Sequence, residues 1–142
     1  MIKKILVPTD GSDHAKKAID FACDLASKYK AMLYLVHVIP PLLPIPEVGA
    51  DVLGEWEVTH QRFAEGIIEQ AENDVKKKNI ESYQSAILKG SPAQEIVEFA
   101  KKNGVDMIVM GSHGHGKAGI LFLGSVSNKV CNVAECTCIT VK

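Results

Sequence analysis

Short runs of consecutive apolar residues alternate along this chain with longer segments whose apolar residues recur every three or four positions, and that alternation restricts the fold more than any other feature. Ile5-Leu6-Val7 is followed by Ala15, Ala18, Ile19, Ala22, Cys23 and Ala26, one face of a helix. Met32 to Ile39 is too continuously apolar for a half-exposed strand and reads as a strand covered on both faces. A second helical stretch carries Ala64, Ile67, Ile68, Ala71 and Val75 on one side, and a weaker, more alternating strand follows at about 82–88. Ser91-Pro92-Ala93-Gln94 has a capping serine, a first-turn proline and a capping-box glutamine in the order of a helix start. Ala93, Ile96, Val97 and Ala100 form that helix's buried stripe, and Gly104 ends it. Met107 to Met110 is a fourth strand, Val126, Val130 and Val133 mark a short fourth helix, and Cys138 to Val141 a last strand.

A β-α-β-α-β-α-β-α-β string predicts a parallel sheet with helices on both faces. Its 142 residues suffice for one domain with a single core. Right-handed crossovers favour the strand order 3-2-1-4-5, an open five-stranded α/β sheet of Rossmann-like type. Ligands of such sheets sit beyond the carboxyl ends of the strands where the winding reverses, here between strands one and four. The loops after those strands, residues 8–12 and 111–125, are therefore the segments to search for chemistry.

Charge narrows the partners. The 16 Lys and Arg balance 17 Asp and Glu, for a net charge of −1, which argues against a nucleic-acid binder working by broad phosphate neutralisation. The apolar stretch from Ala31 to Ile39 is interrupted by His37 and is about half of the ~20 residues a membrane span needs. Asp10 follows the first apolar run almost at once, so no signal-peptide core forms and a cytoplasmic location is expected. Cys131, Cys136 and Cys138 are crowded rather than spaced as a disulfide framework, which suits a reducing compartment.

The second loop holds five of the chain's 11 glycines, residues that let a backbone approach a ligand and aim its amides at phosphate oxygens. Gly111 to Lys117 looks loosely like a P-loop, but Ala118 stands where a metal-binding Ser or Thr is needed. Gly114 to Gly119 fits the GxGxxG dinucleotide fingerprint, but after the fourth strand rather than the first. A third pattern is more specific. Gly111-x2-Gly114-x9-Gly124-Ser125 resembles the nucleotide-binding signature of the universal stress protein family. Ile5 to Ser12, Leu35 to Val38, Gly90-Ser91-Pro92, Met107 to Gly114 and Gly124 to Ser127 are similar to that family's ordered landmarks over nearly the whole chain.

The resemblance implies an ATP-binding homodimer with the strand order given above. Carried over by position, it implies that Pro8, Thr9 and Asp10 approach the adenosine, that Val38 contacts adenine, and that Met110, Gly111, Ser112, His113 and Gly114 flank the ribose and phosphates. Gly124, Ser125, Val126 and Ser127 would then hold the phosphates of ATP or another adenine nucleotide, with Mg²⁺. A helix beginning at Ser125 attracts anions at its N-terminus, which agrees with that assignment.

Each of these residues also has a plainer reading. Asp10 either shapes the turn into the first helix or contacts nucleotide or Mg²⁺, and the two roles are compatible. Ser125 is either a phosphate contact or only a helix cap. His113, His115 and Lys117 form either a local positive patch or ordinary solvated loop positions. Cys136 and Cys138 share one face of a strand near the upper limit of disulfide geometry, and the three cysteines match no zinc-knuckle spacing. They serve either as small apolar residues or as a redox or metal group, and Thr137 stands where the family often has proline. His14, His37 and His60 show no evident partner. The run Pro40-Pro41-Leu42-Leu43-Pro44-Ile45-Pro46, together with Trp56, suggests a lid, a dimer contact or a flap on its own domain.

Three functions compete on this reading: a nucleotide-binding regulatory protein with slow hydrolysis or none, a phosphotransferase or nucleotide hydrolase using Asp10 with His113 or Lys117, and an interaction module with a vestigial cleft. No catalytic residue is assigned, because no activated nucleophile or dedicated base is evident. An unidentified protein partner is expected for a regulatory protein. The apolar terminal strand is an edge of the 3-2-1-4-5 sheet, and a homodimer pairing two such edges is expected.

Overall fold

Five parallel strands form one sheet in the order β3-β2-β1-β4-β5, as the alternation of elements predicts. The structure is a computed structural model describing residues 1–42, 46–113 and 124–142. Its strands are β1 (Lys4–Pro8), β2 (Met32–Ile39), β3 (Tyr83–Lys89), β4 (Met107–Gly111) and β5 (Thr137–Val141). The helices between them are α1 (Asp13–Tyr29), α2 (Ala50–Lys77), α3 (Pro92–Asn103) and α4 (Ser125–Val133).

The central strands are buried on both faces because two separate apolar clusters cover them. Ile5, Val7, Leu33, Leu35 and Val109 pack against Ala18, Ile19, Ala22 and Cys23 of α1 and Ala71 and Val75 of α2. Leu6, Val36, Val38, Ile108 and Met110 point the other way, against Ile96 and Ala100 of α3 and Val130 of α4. Alternate residues of one strand therefore feed opposite layers, which is why these strands read as unbroken apolar runs.

Helix ends follow local chemistry. The hydroxyl of Ser12 accepts the Ala15 amide at 3.2 Å and caps α1, and Gly11 before it has φ +77°, a turn conformation that a side chain would strain. Gly104 closes α3 in the left-handed conformation, as expected. Ser91 occupies the N-cap of α3 but makes no side-chain cap bond, and Gln94 bonds Glu98 at 3.1 Å. The expected capping box is therefore absent, its glutamine drawn to a partner one turn ahead.

Helix α2 begins at Ala50, well before the stripe that starts at Ala64. Its first half buries no stripe; Val52, Val58 and Phe63 are exposed there, so hydrophobic periodicity had nothing to report. Trp56 lies on this helix and stacks on His60, one turn on, at 3.9 Å between ring centroids. Among the described residues no helix is long and apolar enough to cross a membrane.

Candidate functional site

The carboxyl ends of β1 and β4 diverge at the sheet's switch point, and a cleft of about 470 Å³ opens there. That volume lies within the range of ~300–1,000 Å³ typical of small-molecule sites.

One wall is the exit of β1. Thr9 is buried, its amide donating to the Val36 carbonyl at 2.8 Å and its hydroxyl accepting the Gly11 amide at 3.2 Å. The Asp10 carboxylate accepts the Ser12 amide at 2.9 Å, a turn bond that orients the side chain just ahead of the α1 cap. The turn-shaping role weighed for Asp10 is thus present, and Asp10 also lines the cleft. His37 of β2 donates from Nδ1 to the Thr9 carbonyl at 2.8 Å, which fixes its proton on Nδ1 and pins the two strand exits together.

The opposite wall is the exit of β4. An ideal Cβ at Gly111 would lie 2.8 Å from the carbonyl carbon of His14 and 2.9 Å from the Ala15 nitrogen, so only glycine lets α1 settle on this strand. Ser112 is buried and acts as a bracket: its amide donates to Val141 at 2.8 Å, and its carbonyl accepts the Gly124 amide at 2.6 Å. The Ser127 hydroxyl donates to the Gly111 carbonyl at 2.8 Å. β4, α4 and β5 are knitted together at this point by backbone as much as by side chains.

Gly124 is the N-cap of α4 and Ser125 its first residue, so the expected cap moves back by one. Ser125 is exposed and lines the cleft with Gly124, Val126 and Ser127. The first turn of α4 carries no acidic side chain, and among the described residues no side chain is seen to cap it. A helix N-terminus of this kind carries partial positive charge and points its first-turn amides outward. At the other side of the cleft Ala15, Val36, Val38, Pro40, Pro92, Ile96 and Met110 make an apolar wall.

Of the residues expected from sequence, Pro8, Thr9, Asp10, Val38, Met110, Gly111, His113, Gly124, Ser125, Val126 and Ser127 line this one cleft. Ser112 does not line it and holds its frame instead. Gly114, His115 and Lys117 lie outside the described residues, as do Leu43, Pro44 and Ile45. Pro40 places the start of the proline-rich connection at the cleft. His37, Val36, Pro92 and Ile96 were missed. The available signal was positional, since the end of β2 and the start of α3 border the same switch point.

Two of the three histidines without evident partners acquire a hydrogen bond, while His14 makes a ring contact and its buried Nδ1 has no hydrogen-bond partner among the described residues. His37 holds Thr9, His60 bonds the Trp56 carbonyl at 2.9 Å, and the His14 ring lies 5.1 Å from that of His113. Asp10 is the one carboxylate among the described residues lining the cleft, and no group of three or more His, Cys, Asp or Glu among the described residues gathers as a metal cage. One carboxylate suits Mg²⁺ arriving with phosphates, since that ion is held by one or two carboxylates and the phosphates themselves.

The sequence profile described as the universal stress protein family matches residues 1–142. The chain is 37% identical to universal stress protein MJ0531 of Methanocaldococcus jannaschii, an alignment covering 100% of this chain and 83% of that protein. Its fold superimposes on universal stress protein UspA from Lactobacillus plantarum with a TM-score of 0.89, at 26% identity over 99% of this chain and 97% of that one. A universal stress protein crystallised in complex with cAMP matches with a TM-score of 0.73 and 25% identity, over 99% of this chain and 96% of that one.

Proposed function

The chain belongs to the universal stress protein family, and from that premise we propose that it binds an adenine nucleotide, ATP with Mg²⁺ foremost, at the switch point between β1 and β4. The observation that carries this reading is the joining, within one cleft, of an apolar wall to the glycine-capped N-terminus of α4. Val38, Met110 and Pro40 offer the flat apolar surface a purine ring needs, while Gly124, Ser125 and the first-turn amides of α4 suit phosphate oxygens. Asp10 would meet the Mg²⁺ that neutralises those phosphates. A structural neighbour in complex with cAMP supports the adenine nucleotide class.

The nucleotide acts here as a regulatory ligand of a stress-response protein, in the cytoplasm, rather than as an efficiently consumed substrate. The titratable side chains lining the cleft among the described residues are Asp10, His37 and His113. Asp10 is committed to its turn and His37 to the Thr9 carbonyl, which leaves poor material for a dedicated base. Hydrolysis therefore stays at or below the ~1 s⁻¹ lower end of common enzyme rates. Two copies pair through the β5 edge, whose unpaired backbone groups are satisfied when the same edge meets itself across a two-fold axis.

Isothermal titration calorimetry with ATP, GTP and inorganic triphosphate in Mg²⁺ tests the assignment. ATP should bind more tightly than GTP or triphosphate. Gly124→Val, whose backbone φ of −55° accepts a side chain, should weaken ATP by tenfold or more while circular dichroism stays unchanged. Equal ATP affinity in the folded variant would remove the site from this cleft.

A further inference from the structure

Helix α2 carries a second stripe that its own domain does not bury. Val52, Trp56, Thr59 and Phe63 recur at intervals of four, three and four residues, the spacing of a coiled-coil seam. Val52 is 55% exposed and Phe63 60%, Thr59 is exposed and Trp56 is half-buried. Helical geometry sets this seam roughly 100° round the axis from the buried stripe of Ala64, Ile67, Ala71 and Val75. The Trp56 ring is already fixed by its stack on His60, so a contact made through it orders little that is loose.

Charge decides what covers the seam. Glu55 precedes Trp56 and Arg62 precedes Phe63, so both stand on the same flank, seven residues apart. Arg62 is the chain's only arginine, both side chains are exposed, and among the described residues neither forms an ion pair. When a second copy lies antiparallel with Trp56 opposite the partner's Thr59, the same register puts Val52 opposite the partner's Phe63. It also brings Glu55 beside the partner's Arg62, and the two-fold axis repeats every contact. A parallel pair loses the match, because Glu55 then meets the partner's half-buried His60 and Arg62 meets the partner's buried Ile67. The other acids of this half, Asp51, Glu57 and Glu65, lie roughly 100° or more from the seam and do not oppose the pairing.

We propose that the first half of α2 docks against the same segment of a second copy, as an antiparallel helix pair with reciprocal Glu55–Arg62 ion pairs.

The fold leaves room for this contact. The crossing point falls between residues 57 and 58, and the second halves of the two helices, which carry the buried stripes, run away from it in opposite directions. Residue 70 of each helix lies about 19 Å from the crossing, on opposite sides, so the two sheets do not collide. The contact is separate from the β5 edge, because α2 covers β2 and β3 and β5 lies at the far side of the sheet. Two short helical segments bury less than the ~1,200 Å² of a stable interface, so the pair forms only above about 100 μM and joins single or β5-paired copies weakly and reversibly.

The test uses the full-length Arg62→Lys chain, which keeps the charge and supplies an amine that a zero-length carbodiimide joins to a carboxylate. Equal parts of ¹⁴N- and ¹⁵N-labelled chain are mixed at about 500 μM, linked, digested and read by mass spectrometry. The expected product is an isopeptide link between positions 55 and 62, with light–heavy pairs as abundant as all-light and all-heavy pairs combined. Sedimentation velocity on the wild-type chain gives a second reading, since its weight-average mass should rise between about 50 and about 500 μM. Arg62→Glu should remove about two-thirds or more of that rise by setting like charges together. Glu55→Arg combined with Arg62→Glu should restore it, because reversing both charges rebuilds the pair. A 55–62 link that is absent or confined to single chains overturns the proposal, as does a double reversal that associates no better than Arg62→Glu. A wild-type mass that does not rise beyond the β5-paired species overturns it as well, and that reading depends on no variant folding.

Discussion

Adding one methyl group at Gly111 should loosen both the fold and the cleft. A Cβ there would sit 2.8 Å from the His14 carbonyl carbon, 2.9 Å from the Ala15 nitrogen and 2.9 Å from the His14 Cβ. Ordinary carbon contacts begin near ~3.5 Å, so backbone at the start of α1 has to retreat by more than about half an ångström. The retreat is resisted, because Ser12 caps that same turn and Ala15 packs in the core. Overpacking of this kind costs about 1–3 kcal/mol. For a chain of this length each kcal/mol is worth roughly 2–5 °C, so Gly111→Ala should melt about 2–15 °C below wild type. Gly66 supplies the control: it lies inside α2 with nothing within 4 Å of its added Cβ, so Gly66→Ala should raise stability by about 0.5–1 kcal/mol. Paired thermal melts by circular dichroism read both. Gly111→Ala melting with wild type while Gly66→Ala shifts as expected would refute the close-approach argument.

Other consequences are independent of that contact. Ser127→Ala removes the donor to the Gly111 carbonyl and should cost about 1–3 kcal/mol in urea unfolding; an unchanged midpoint would mean that bond does not hold α4 to β4. The amide of Lys3, and then that of Lys4, holds the Asp106 carboxyl below its usual range. A depressed folded-state value stabilises above the unfolded pKa of about 3.9 and is lost as pH falls through the folded value, so Asp106→Asn should flatten the acid limb of stability below pH ~4. An acid limb identical in the two proteins would contradict it. Sedimentation equilibrium should give twice the 15.4 kDa chain mass, and a monomer at every concentration up to about 100 μM would exclude β5 pairing as a stable contact.

The sheet was legible because its strands are short apolar runs fed to two cores, and right-handed crossovers together with the family resemblance favoured the order found. The first half of α2 was not, since residues 50–63 form helix without burying a stripe, and periodicity reports burial rather than helicity. The cleft's two glycine- and serine-bearing ends were readable as spacing. Its apolar wall was not, because Pro92, Ile96 and Val36 are indistinguishable in sequence from other core residues until the sheet brings their ends together. Ser112 is a different case: a serine inside a ligand signature also acts as a backbone bracket, a role that depends on where β5 ends in space. His37 looked partnerless because its acceptor, the Thr9 carbonyl, is a backbone group 28 residues away.

The most direct test of the nucleotide assignment is a ¹H–¹⁵N NMR titration of the reduced chain with ATP and Mg²⁺. The account predicts saturable shifts concentrated at Thr9, Asp10, Val38, Gly111 and Ser125 to Ser127, which line the cleft from four different elements and loops, with the first half of α2 unmoved. Saturable shifts confined to residues 50–63 of α2, or no shifts at millimolar ATP, would contradict it.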